Sequence, residues 1–145
     1  MPHEDVLPAL EDEFAAFWRR LRVAARDAAR ELHPHLDPTV FPLISMLGKV
    51  ETLRVSELGA RLLLDKSTVS RQIDAAERVG LVARSVDPSD ARARLVGLTP
   101  IGRERLDAVQ SRRRAEWEQL LTAWTRDEVV ALTRLLAKLG ESGVV

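Results

Sequence analysis

SELGARLLLDKSTVSRQIDAAERVGLVARSVDPSDARARLVGLT, residues Ser56 to Thr99, is the stretch whose reading decides the fold. Two short helical patterns stand almost end to end in it. Ser56 is read as the cap of the first, because its hydroxyl can accept from free N–H groups of a first turn. Leu58 and Leu62 then fall on one face. Asp65 is read as the cap of a second helix running from Lys66 to Val79. In that helix Val69, Ile73 and Ala76 share an inward face. Ser67, Arg71, Asp74 and Arg78 point the other way, with Thr68 and Ser70 on the flanks. Gln72 falls near the buried side, and nothing in the sequence accounts for it. Gly80 ends the helix as a left-handed cap. Two strand patterns follow, Leu81 to Val86 and Ala93 to Leu98, joined by the turn sequence DPSDAR. Helix, turn, helix and hairpin are the order of a winged helix-turn-helix, whose second helix enters the DNA major groove.

The chemistry of the exposed residues fits that order. Lys66, Ser67, Thr68, Ser70 and Arg71 put a Lys, short hydroxyls and an Arg at the helix N-terminus. Hydroxyls and free N–H groups suit phosphates, and Arg71 suits a bidentate contact to guanine. Arg84, Arg92 and Arg94 lie on or beside the hairpin, where a cation at the tip fits the negative minor groove. The plainer alternatives are an amphipathic surface helix and a hairpin carrying solubilising charges. They leave the succession of the two unexplained.

From DKSTVSRQ to LTPIGRERL the chain resembles MarR-type transcriptional regulators. The matching pieces are STVSR in the second helix, ERVGLV at its exit, DPSDAR in the wing and LTPIG leading into the next helix. The flanking helices match in number and order. The resemblance implies a homodimeric DNA-binding regulator, and that Asp90 orients Arg92 at the wing tip. It also implies a small effector, often a phenolic or aromatic acid, bound between the dimerisation helices and the winged helix. Ala91 departs from the pattern, since many relatives carry a second Arg there.

Composition sets bounds on these readings. The 145 residues make one compact domain, or one domain with helical extensions. With no Cys, a disulfide framework, a thiolate metal site and a thiol redox switch are excluded. No apolar run reaches the roughly 20 residues needed to span a bilayer. The first residues, MPHEDVLPALEDE, lack the basic and apolar regions of a signal peptide. A cytoplasmic protein away from the membrane is the expectation. Net charge is zero, but the charges are not evenly spread. From Lys49 to Arg105 there are eleven Lys or Arg against eight Asp or Glu, whereas Met1 to Gly48 has five against eight. A mildly basic centre implies that binding rests on placed contacts rather than bulk charge.

Outside the central stretch the patterns are helical. Leu7, Leu10, Phe14, Phe17, Leu21, Ala24 and Ala28 form an a/d seam in a helix from Leu7 to Leu32, widened by Trp18. A helix this long ahead of any core calls for a partner; a second copy is the expected one, and packing within the same chain is the alternative. HPHLDP, from His33 to Pro38, ends it. His33, His35 and Asp37 are of metal-ligating type, but no fourth ligand stands nearby, so no metal site and no cofactor are expected. Thr39 to Val50 reads as a short buried helix, and Leu53 to Val55 as a third strand of the wing. Pro100 opens a helix to about Ala123. Thr125 with Glu128 makes a capping box for a last helix, whose seam is Val129, Leu132, Leu136 and Leu139 and whose end is Gly140.

The expected fold is therefore mainly α with a small β-hairpin wing. A winged helix-turn-helix over 37–99 is flanked by an N-terminal dimerisation helix over 1–36 and C-terminal helices over 100–145. The expected function is a transcriptional repressor binding double-stranded DNA at a pseudo-palindromic operator as a homodimer. Trp18, His33, His35, Phe41 and Met46 are the candidate wall of an effector pocket, Phe41 and Met46 being also plain core residues. No nucleophile–His order, phosphate loop or metal motif points to an enzyme, so no catalytic residue is expected. The rival is a winged helix that binds protein without reading DNA.

Overall fold

A computed structural model describes residues 2–143; Met1, Val144 and Val145, the ends of the expected terminal regions, lie outside the described residues. The chain folds as two compact units, one ending at Val109 and the other beginning at Gln110.

The first unit is built on helix α1 (Leu7–Leu32), a 3-10 turn (Pro38–Val40), α2 (Phe41–Leu47), β1 (Leu53–Arg54), α3 (Val55–Leu62), α4 (Lys66–Arg78), β2 (Val82–Asp87), β3 (Asp90–Leu98) and the start of α5 (Pro100–Leu120). Its core takes Ala28, Ala29 and Leu32 from the end of α1 and Phe41, Leu43, Ile44 and Leu47 from α2. Leu58 of α3, Val69, Ile73 and Ala76 of α4, Val96 of β3, and Leu106 and Val109 of α5 also belong to it. Core residues thus lie on both sides of the boundaries expected at 36/37 and 99/100. The expected burial of this helix holds for Phe41, Leu43, Ile44 and Leu47, while Pro42 is exposed.

The three strands form an antiparallel sheet in the order β1-β3-β2. Val82 pairs with Leu98 and Leu53 with Val96, so the expected third strand is present but only two residues long. Val55 opens α3 instead. That shift displaces the expected cap: the residue before α3 is Arg54, held extended by its pairing with Leu95, and Ser56 sits inside the first turn. The expected helix from Thr39 to Val50 is shorter. Pro42 lacks an N–H and is tolerated only in a first turn, so α2 begins at Phe41 and closes at Gly48.

Two helix ends are closed by the same motif. At the end of α4, Gly80 N–H donates to Glu77 and Leu81 N–H to Ala76, with Gly80 at φ +79°. At the end of α3, Leu63 N–H donates to Ala60 and Leu64 N–H to Gly59, with Leu63 at φ +55°. Both are Schellman closures, which call for a left-handed residue.

LTPIG acquires a structural account. Thr99 Oγ1 accepts from Gly102 N–H and donates to the Gly80 carbonyl, which ties the start of α5 to the exit of α4. A Cβ on Gly102 would lie 2.0 Å from the Leu81 carbonyl oxygen, so the backbones approach as only glycine permits.

In the second unit α5 gives way to a 3-10 turn (Leu121–Ala123), and α6 (Arg126–Glu141) follows. Thr125 and Glu128 form the expected capping box. Gly140 does not end α6; the helix runs on to Glu141, and the left-handed glycine is Gly143, at φ +66°. Arg112 pairs with Glu116 one turn on. Among the described residues no helix is long and apolar enough to cross a membrane.

Candidate nucleic-acid interface

The N-terminus of α4 is organised by one carboxylate. Asp65 Oδ1 accepts from the Thr68 backbone N–H at 2.7 Å and from the Ser67 hydroxyl at 2.7 Å, and Oδ2 accepts from the Thr68 hydroxyl at 2.8 Å. These donors, the Thr68 backbone N–H first, pull the Asp65 pKa down to about 2. Both hydroxyl protons are therefore directed at Asp65. Ser67 and Thr68, expected as phosphate donors, have their hydroxyls engaged in seating the helix cap. Lys66, Ser67 and Arg71 are exposed, while Thr68 and Ser70 are half-buried on the flanks.

Arg84 is not at the wing tip. It lies in β2 with its guanidinium against α4, 2.7 Å from Asp74 and 3.0 Å from Glu77, and it donates to the Ser70 carbonyl at 3.4 Å. One arginine thus fastens the wing to the recognition helix and absorbs both acids of that helix.

The hairpin tip is held by a second network, centred on Asp87. This carboxylate is only 7% exposed. It accepts from the Ser89 hydroxyl at 2.7 Å, the Ser89 N–H at 2.9 Å and Arg54 Nε at 2.7 Å. The Ser89 hydroxyl, the Ser89 N–H and the Arg54 guanidinium together hold the Asp87 pKa below the usual carboxylate range, against the effect of burial. The pairing of β2 with β3 shifts between Val86 and Asp87, and this network sits at that irregularity. Arg54 comes from β1, so three strands converge on the wing turn. Asp90 accepts from the backbone N–H of Arg92 at 3.0 Å, so its hold on Arg92 acts through the main chain rather than the guanidinium. Arg94 folds back to the carbonyls of Ala91 and Ala93. Arg92 is exposed.

The result is a sorting of charge. Asp65 is occupied by hydroxyls and an amide, Asp74 and Glu77 by Arg84, and Asp87 by Arg54 and Ser89. Lys66, Arg71, Arg78 and Arg92 are exposed and in no ion pair among the described residues. A chain of zero net charge keeps a cationic surface on one helix and one wing.

The candidate effector wall does not assemble in the same way. His33 and His35 lie together, ring centroids 5.6 Å apart, with His33 Nδ1 accepting from the His35 N–H. Phe41 is buried in the core, and Met46 packs against it. Trp18 stacks on Phe14 and stands fourteen residues before Leu32, about 21 Å of helical rise away. It does not share a pocket with the His pair of its own chain.

Arg54 and Asp87 were not singled out by the sequence. A pair separated by 33 residues carries no periodic signal, and DPSDAR was legible only as a turn. Gln72 Oε1 is shielded from solvent and accepts no hydrogen bond, and the structure offers no account of it.

The chain is similar to known helix-turn-helix regulators. A sequence model of the MarR family matches residues 36–93. The uncharacterized HTH-type transcriptional regulator YxaD of Bacillus subtilis is 31% identical over 142 residues, 98% of each chain. A probable transcriptional regulator from Pseudomonas aeruginosa superposes with a TM-score of 0.63 at 28% identity, over 90% of this chain and 98% of that one. A mutant MarR from E. coli complexed with operator DNA superposes with a TM-score of 0.61 at 25% identity, over 88% and 96%.

Proposed function

The chain belongs to the MarR family of HTH-type transcriptional regulators, and on that premise we propose that it is a cytoplasmic repressor that grips operator DNA as a homodimer. α4 enters the major groove and the β2–β3 wing follows the adjacent minor groove. The observation that carries this reading is the sorting of charge. The acids of α4 and the wing turn are held internally, while Lys66, Arg71 and Arg92 remain free for phosphates and base edges. In this reading Lys66 and Arg92 meet phosphates and groove walls. Arg71 reads a base, and Ser67, Thr68 and Ser70 line the approach of the backbone. Arg84, Asp90 and Arg94 hold the wing in position.

The homodimer rests on apolar surface. Leu10 on α1 is 62% exposed and Leu120 at the end of α5 is 66% exposed; Leu7, Phe14, Phe17 and Trp18 on α1, and Val130, Leu135 and Leu136 on α6, are exposed too. Burying a Leu or Phe side chain contributes roughly 1.5–3 kcal/mol, so a second copy covering these faces would be strongly held. Two copies then present two recognition helices, matched to half-sites about 34–36 Å apart.

Selection from a random duplex pool, followed by a salt titration of the recovered site, tests the proposal. A pseudo-palindrome whose affinity falls steeply with salt is the expected outcome. Failure to retain any duplex at low salt would leave the winged helix as a protein-binding surface. An aromatic acid as inducer belongs to the same proposal. The His33–His35 pair supplies the polar side of its site, and Trp18 can join only from the partner copy. Salicylate or benzoate at millimolar concentration should weaken operator binding, less so in His33→Ala. No shift with either acid would end that part of the reading.

A further inference from the structure

We propose that Leu63, in the turn between α3 and α4, is a DNA-contact residue whose side chain seats against an apolar part of the duplex, a thymine methyl group or a deoxyribose. The inference rests on the DNA-binding reading above.

Two observations carry it. Leu63 is the only non-glycine residue with positive φ among the described residues, at φ +55° and ψ +37°. It is also 85% exposed, more than any other large apolar side chain described. The chain makes the same helix closure twice. At the end of α4 the left-handed position is filled by Gly80, which accepts that backbone without strain. At the end of α3 it is filled by leucine, whose Cβ opposes it. The isobutyl group gains nothing from the fold that would offset this, because it lies in solvent. Its neighbours Leu62 and Leu64 both pack against the core. Three consecutive leucines are thus divided, two inward and one outward, by the conformation of the middle one. A residue strained and unburied in the free protein points to a use in the complex.

Position selects the partner. Leu63 is two residues before Asp65, the cap of α4, and its Cα lies within about 11 Å of that of Lys66 by chain length alone. The turn that carries it therefore arrives at the duplex together with the first turn of α4. The polar groups of that turn have phosphates and base edges to meet. An apolar branch beside them meets the remaining surface of the groove rim, the 5-methyl of thymine or the faces of the sugars.

The test compares Leu63→Gly, Leu63→Asn and Leu63→Met with the wild-type chain, by anisotropy on the selected operator and by thermal melting. Gly and Asn both accept the left-handed backbone, and Asn does so without the freedom of glycine. Both should melt higher than wild type and yet bind the operator roughly threefold to tenfold more weakly, about the value of one or two buried methylenes. Met keeps the apolar chain and should retain affinity. Replacing operator thymines by deoxyuridine one at a time removes single methyl groups. Weakening at one position per half-site, absent in Leu63→Gly, assigns the contact to thymine; a loss in the variants with no deoxyuridine effect assigns it to the sugar. Wild-type affinity in Leu63→Gly and Leu63→Asn overturns the proposal and leaves Leu63 to a protein partner. A wild-type chain that retains no duplex overturns the DNA reading along with it, a result distinct from variants that bind as well as wild type.

Discussion

Gly102 and Asp65 illustrate how single residues fix this site without touching a ligand. Gly102 sits where α5 crosses the exit of α4, and a methyl group there would meet the Leu81 carbonyl oxygen. Gly102→Ala should therefore displace backbone rather than a flexible side chain, at a cost of about 1–3 kcal/mol in chemical denaturation. A variant as stable as wild type would mean that the two backbones separate freely. Asp65 makes a prediction in pH. Its folded pKa is about 2, below the usual 3.8, so it favours folding wherever it is ionised. That contribution is complete above the unfolded value and is lost as pH falls through the folded one, between about pH 4 and pH 2. The melting temperature of wild type should fall more steeply across that window than that of Asp65→Asn, whose side chain does not titrate. The difference should be small, because the carboxylate is exposed and screened by solvent. Parallel acid profiles for the two proteins would refute the assignment.

At the scale of elements, what the sequence disclosed and what it withheld divide along one line. Local rules were legible. The Asp65 cap, the inward row of Val69, Ile73 and Ala76, the left-handed Gly80, the DPSD turn and the Thr125–Glu128 box each depend on residues within a few positions of one another. Features that depend on a distant partner were not. Ser56 looked like a cap because the pairing of Arg54 with Leu95 was invisible. Arg84 looked like a free cation of the wing because its acids, Asp74 and Glu77, belong to another element. Leu63 disappeared into a run of three leucines, and Gly140 was read as the helix end because it directly follows the apolar seam. The long-range pairs now supply the element-level prediction. Removing Arg54 leaves Asp87 buried without its cation at the irregular end of the hairpin. In Arg54→Ala the amides from Asp87 to Arg92 should exchange hydrogen faster, and affinity for random and selected DNA should fall together, because a loosened wing loses shape contacts rather than a base contact. Arg61→Ala, an exposed cation on α3, serves as the control for lost charge alone. Equal behaviour of the two variants would show that the Asp87 network does not position the wing.

For the whole molecule the decisive quantity is the apolar surface that the chain leaves to water. On α1, Leu7, Leu10, Phe14 and Phe17 follow the spacing of a coiled-coil seam, yet each is at least a third exposed, whereas Ala28, at the other end of the same seam, is fully buried in the core. One helix therefore has two roles along its length: its last turns belong to the winged-helix core, and its first turns present a seam with solvent on it. On α6 the seam read from sequence, Val129, Leu132, Leu136 and Leu139, is only partly covered, with Leu136 at 49%. Exposure of this extent on two separate helices exceeds the scattered apolar residues of an ordinary surface and calls for a partner. In the proposed homodimer a second copy would supply one, and its two-fold axis would double the recognition helix for a pseudo-palindrome. Sedimentation equilibrium at micromolar concentration should give twice the chain mass. Leu10→Glu with Leu136→Glu should shift it toward the single mass, since two carboxylates would be driven into the covered face. Because neither residue lies on α4 or the wing, the same double variant should keep weak, salt-sensitive binding to random duplex while losing the selected operator, whose two half-sites need one rigid body. A wild-type chain that sediments at the single mass would remove the dimer, and a monomeric variant that still held the full operator at wild-type affinity would remove the need for it.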